Sequence, residues 1–123
     1  MGEVVQIPVP HMGPARRERI AERMTEGAWR TAIWEPTMRE VIREVVAERE
    51  RQDALWGPQH HKDPHEFLSI LTEEVGEVAK AINEWGDQDA DASVASYVTE
   101  LVQVAAVAVA AIEVIRHQTE GKQ

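Results

Sequence analysis

The stretch "LVQVAAVAVAAI", residues 101–112, presents apolar side chains almost all the way round a helix. A helix without a polar face must be covered on most sides. The run is shorter than the roughly 20 apolar residues that span a bilayer, which predicts a buried core helix and no membrane span. The helix is expected from about Val94 to His117, with Asp91 and Ser93 of the polar linker "GDQDADAS" as cap candidates. Three helices of this size cannot easily enclose it, so a second copy of the chain is the expected cover, in a homodimer or homotetramer.

The other elements are read from their punctuation. Thr37 can cap a helix and Glu40 can complete a capping box, after which Val41, Ile42, Val45 and Val46 form an apolar stripe and the helix runs to about Asp53. Gly57 and Pro58 break it. In "DPHE", Asp63 caps, Pro64 takes the first helical position and Glu66 completes a second box. Phe67, Leu68, Leu71, Val75, Val78, Ala79 and Ile82 then mark one face as far as Trp85, and Gly86 ends the helix. No strand pattern is present, and the fold class is all-α. The first 14 residues, with three prolines and two glycines, read as a loose arm; residues 15–34 follow, with helix formers from Ala15 to Met24 that suit a short charged helix and Gly27 as a candidate break. The domain limits are therefore an arm over 1–36, a helical domain over 37–118 and a polar tail over 119–123.

Charge and composition narrow the function. A net charge of −9 excludes broad nonspecific contact with nucleic acid, which needs a basic surface. There is no cysteine, hence no disulfide and no thiolate metal site, and no secretory signal pattern, so a cytoplasmic setting is expected.

Against that background "LTEEVGEVAKAINEW", residues 71–85, is unusual for concentrating carboxylates. At about 100° per residue, Glu73, Glu74 and Glu77 fall within an arc of about 100° beside the apolar face. Like charges at these spacings repel, and Lys80 is the local residue placed to relieve Glu77. A divalent cation would reverse the sign of the arrangement, since carboxylates are preferred ligands of magnesium and manganese. The partner carboxylate is expected from a facing helix. Glu100 borders the apolar run, where a charge needs a partner, and Gln103 lies one turn on. Glu113 is expected to meet solvent or another chain. For an arbitrary helix, such glutamates are more often a solvated surface face.

The ordered set "EEVGE" then "ELVQ" resembles the MazG-like nucleotide pyrophosphohydrolases, of the all-α nucleoside triphosphate pyrophosphatase superfamily. Glu73, Glu74, Glu77 and Glu100 match that family's metal-binding motif, with 22 residues (100 − 77 − 1) between its two parts. "RQDALWGPQHH", residues 51–61, also looks like the segment that precedes the motif, and the resemblance covers roughly Val41 to Ile115. It implies a helical bundle completed by dimerisation, and magnesium-dependent hydrolysis of a nucleoside triphosphate to the monophosphate and diphosphate, with Mn2+ as a substitute ion. Glu74 is singled out as the residue that positions or deprotonates water. Gln103 stands where the family has aspartate, which lowers the ligand charge by one. A nucleotide-binding or regulatory dimer of the same fold, weakened in catalysis, is the alternative.

Several polar and aromatic residues are secondary candidates for substrate contact. Lys80 can touch a phosphate or simply pair with Glu77. Trp56 can stack on a base, though packing as core is the stronger expectation, and Asn83 can read a base or end a helix. His61 is placed in a polar loop near a substrate mouth, and Gln52 and Asp53 toward the same cleft. Gly76 inside a helix costs about 1 kcal/mol relative to alanine, which close approach of a neighbouring helix would explain.

Overall fold

The computed structural model describes residues 35–120. The expected N-terminal arm and short charged helix lie outside the described residues, as does the end of the tail. Within them are three helices and no strand: α1 (Glu35–Trp56), α2 (Pro64–Asn83) and α3 (Ala90–Glu120). At 1.5 Å per residue α3 is about 46 Å long, against about 30 Å for α2. The long helix is the spine. Both α1 and α2 pack on it, α2 more extensively, and they scarcely meet each other.

Local chemistry sets the boundaries. α1 is already helical at Glu35, so Thr37 lies inside it and is not its cap. The helix continues to Trp56, three residues past the expected end, and Gly57 stops it with φ 69° while its N–H donates to the Asp53 carbonyl at 2.9 Å. That left-handed glycine cap is open to glycine because it has no Cβ to clash. α2 begins as the sequence indicates. Asp63 accepts from Glu66 N at 2.8 Å, and Asp63 N donates back to Glu66 Oε1 at 3.4 Å. It ends at Asn83, slightly earlier than expected, with Gly86 at φ 99° in the turn that follows. The start of α3 is corrected to Ala90, and its cap is Asp89, whose carboxylate accepts from Ala92 N at 2.8 Å. Ser93 is instead buried, with Oγ accepting from Gly86 N at 3.3 Å, which ties the turn to α3.

The core is small. Phe67 of α2 packs against Val107, Ala110 and Val114 of α3, with Ile70, Leu71 and Ala111 at the edge. Alanines at 106 and 110 are almost fully buried, and their short side chains let the neighbouring helices approach. The expected stripe of α1 is corrected: Val45 is buried, but Val41, Ile42 and Val46 are exposed. The inward line is Val45, Arg49 and Gln52, at spacings of four and three. Arg49 is held by two acids. It donates to Glu113 of α3 at 3.2 and 3.3 Å and to Asp53 at 2.9 and 3.3 Å. Burial works against the Arg49 charge, but these carboxylates outweigh it and hold the guanidinium firmly protonated. Glu113 thus has a partner within its own chain, while its side chain, 55% exposed, also meets solvent as expected.

Much apolar surface stays uncovered. Leu68, Ile112 and Ile115 are exposed beside an apolar groove of ≈ 370 Å³ between α2 and α3. By length and composition α3 is apolar enough to cross a membrane, a test that core helices of soluble proteins also pass. The expectation that no segment reaches that length holds for the uninterrupted run 101–112 and not for the whole helix. Gly76 also departs from expectation. A Cβ there would meet nothing within 4 Å, so no close helix approach accounts for it among the described residues.

Candidate active site

The acidic motif of α2 and the start of the apolar run on α3 face each other, and one amide joins them. With its nitrogen turned to the carboxylates, Gln103 Nε2 donates to Glu74 Oε2 at 3.1 Å and to Glu100 Oε2 at 2.9 Å. Two acids from two helices therefore share one donor. Glu74, Glu100 and Gln103 are all half-buried, whereas Glu73 and Glu77 are exposed. Helical spacing explains the difference. Glu74 lies four residues after Ile70 and seven after Phe67, on the face that meets α3, while Glu73 and Glu77 flank it.

Burial pushes the Glu74 carboxyl above the usual carboxylate range, and the negative charges of Glu100, Glu73, Glu77 and Glu48 push it further the same way. Glu48 belongs to α1, so the acidic field comes from all three helices. Glu48 is itself held below the usual range by its hydrogen bond from Arg51, against the opposing effect of burial. Arg51 Nε donates to Glu48 Oε2 at 2.8 Å, and Glu74 adds to the negative potential that Arg51 feels. Gln52 Nε2 also reaches Glu48, at 3.4 Å.

Glu73 and Glu74 form one wall of a cavity of ≈ 330 Å³ between the end of α1, α2 and α3. Trp56 stands at this cavity, 55% exposed, and the expectation that it packs as core is corrected. Gln52 lines the cavity and is buried, as its placement toward the cleft anticipated, while Asp53 turns to Arg49. The remaining candidates fall outside it. His61 is exposed and meets His60 edge-on at 6.3 Å, Asn83 is the last residue of α2, and Lys80 forms no ion pair among the described residues. The expected relief of Glu77 by Lys80 is therefore absent from this arrangement.

Gln59 and Lys62, both on this cavity, and Glu48 escaped the sequence reading. The first two sit in "WGPQHHKDP", a turn with no periodicity to show which side chains point inward. Glu48 carried a signal in its i, i+3 and i, i+4 relation to Arg51 and Gln52, but that pattern reads equally as a solvated face.

Chemically, the arrangement offers hard oxygen donors and strong negative potential beside a partly apolar cavity. Among the described residues no three histidine, aspartate or glutamate side chains converge as a metal-binding group. What converges is two carboxylates and an amide. No family model, no curated protein and no solved structure matches this chain.

Proposed function

We propose that the chain is a metal-dependent nucleoside triphosphate pyrophosphohydrolase of the MazG-like type, converting a (deoxy)nucleoside triphosphate and water to the monophosphate and diphosphate in nucleotide-pool housekeeping. The observation that carries this reading is the meeting of Glu74 and Glu100 at Gln103, one acid from each half of the motif.

The residues fit a magnesium ion in the chemistry of their donors. If the Gln103 amide turns over, its oxygen joins two carboxylates, and three acceptors together are stable only around a cation. Magnesium is commonly held by one or two carboxylates, with waters and substrate phosphates completing its shell, so two carboxylates and an amide suffice. Glu74, Glu100 and Gln103 would hold it, with Glu73 and Glu77 adding charge nearby. When bound, such an ion neutralises the phosphates and stabilises the departing diphosphate.

The chain's own groups do the rest. Glu74, with one carboxylate oxygen left free of the ion, is suited to accept a proton from the attacking water. That water's oxygen bonds to phosphorus as the α–β anhydride breaks, and the bond's electron pair leaves with the diphosphate. Trp56 and the cavity beside Glu73 lie where the nucleoside can sit.

A homodimer or homotetramer is part of the same reading, supported by the exposed apolar groove along α3. So is a cytoplasmic setting. The second reading, a nucleotide-binding dimer weakened in catalysis, is favoured by one observation: the third position of the cluster is an amide that carries no charge.

The test is pyrophosphate release from a panel of nucleoside triphosphates with magnesium. Release by the parent chain and its loss in Glu74→Gln supports the hydrolase. Nucleotide-dependent thermal stabilisation without release moves the assignment to the second reading, and no response to metal or nucleotide removes both.

A further inference from the structure

Breaking an α–β anhydride needs room on both sides of the phosphorus, for the nucleoside on one and the diphosphate on the other. Two cavities supply it. Glu74 lines the cavity of ≈ 330 Å³ that also holds Trp56, while its hydrogen-bond partner Gln103 lines a second, of ≈ 520 Å³, between α1 and α3. The Glu74–Gln103 contact therefore joins the two. Arg51 lines the second cavity, with Thr99 as a hydroxyl donor and with Glu44 and Glu48 as its acids. Glu48 holds Arg51 by two parallel bonds, from Nε to Oε2 at 2.8 Å and from Nη2 to Oε1 at 2.6 Å. A guanidinium carries five N–H groups in a planar fork. Those two bonds occupy one edge and leave three N–H groups on a side chain that is 50% exposed. Glu48, and more weakly Glu74, keep the guanidinium firmly protonated, so the acidic cluster lies within electrostatic reach of Arg51.

We infer that Arg51 binds the diphosphate part of the substrate in the cavity between α1 and α3. The inference rests on the hydrolase reading above and adds which side chain grips the phosphate tail, and on which side of Glu74 that tail lies. The surrounding acids repel a phosphate. The open edge of Arg51 instead presents paired donors whose spacing matches two phosphate oxygens. Glu48 acts as a positioning residue, because its two bonds fix the fork before the phosphate arrives. With two acids against one guanidinium, the cavity takes the tail together with magnesium and not as a bare anion. A triphosphate lying this way has its nucleoside beside Trp56 and its α-phosphorus at the Glu74–Gln103 contact.

The test compares Arg51→Gln and Glu48→Gln in the full chain. Inorganic diphosphate with magnesium is one probe, by titration calorimetry, and magnesium nucleoside triphosphates are the other, by pyrophosphate release. Arg51→Gln is expected to weaken diphosphate binding about tenfold and to raise KM for the triphosphate by a similar factor, the scale of a lost charge-assisted hydrogen bond. Glu48→Gln removes a negative charge and leaves the guanidinium in place, so it is expected to bind diphosphate at least as tightly as Arg51→Gln does not. Equal weakening in the two variants assigns Arg51 to the ion pair alone and overturns the inference. So does a parent chain that never binds diphosphate, or an Arg51→Gln variant that binds it unchanged. The two readings separate cleanly. Arg51-dependent diphosphate binding without release from any triphosphate sinks the hydrolase and leaves the phosphate site standing. Release with an unchanged KM in Arg51→Gln does the reverse.

Discussion

Glu74 concentrates the tension of this structure in one side chain. It sits half-buried under the potential of four other carboxylates, and its carboxyl is held above the ordinary range by burial first and those charges second. A carboxyl whose folded value is raised holds its proton more tightly in the folded state than in the unfolded chain. Stability therefore falls as pH rises through the window between the ordinary and the raised value, and the cost is fully present above that window. Glu74→Gln should raise the melting temperature of the metal-free chain at neutral pH, with the gain disappearing below the ordinary carboxylate range. Melting curves at the two pH values check this, and an unchanged neutral-pH melting temperature counts against it. The same substitution should cut pyrophosphate release by about 100-fold or more, the scale of a lost general base. A variant that is more stable and less active is what a site strained for function gives.

At the scale of single helices, two features invite measurement. Gly76 lies in mid-α2 with open space where a Cβ would point. Alanine there should stabilise the chain by about 0.4–1 kcal/mol by restricting the unfolded state, as denaturant titration can measure. A destabilised variant would mean that a second chain packs against this position. The second feature is Arg49, whose line of contacts ties α1 to α3 through Glu113. Arg49 is buried while both its acids are about half exposed, so solvent screens part of the attraction. A double-mutant cycle of Arg49→Met and Glu113→Gln should give a coupling of about 1 kcal/mol, read from chemical unfolding. A coupling near zero would leave α1 held to α3 by packing alone.

The described residues carry more apolar surface than their three helices cover. Leu68, Ile112 and Ile115 border the groove along α3, and Val41, Ile42 and Val46 line the outer side of α1. Association would bury these surfaces together. Light scattering should therefore give a mass of at least twice the 13.8 kDa of one chain, and Ile112→Asp should shift it toward the single-chain value. A parent chain that runs at its own mass would refute the association.

Periodicity and capping chemistry are local, and so the residues alone determined the all-α class and the Asp63 box, while the meeting of Glu74 with Glu100 took the packing of α2 on α3. Side-chain direction in an aperiodic turn is not local, which is why Gln59 and Lys62 became visible only with the chain folded. The same holds for Arg49. A charged residue in a helix reads as solvated until the packing of α1 against α3 decides that it is buried and supplies Glu113 to hold it. Local patterns name the surfaces a helix has to offer. Only packing chooses which of them it hides, because that choice depends on contacts between residues far apart in the chain.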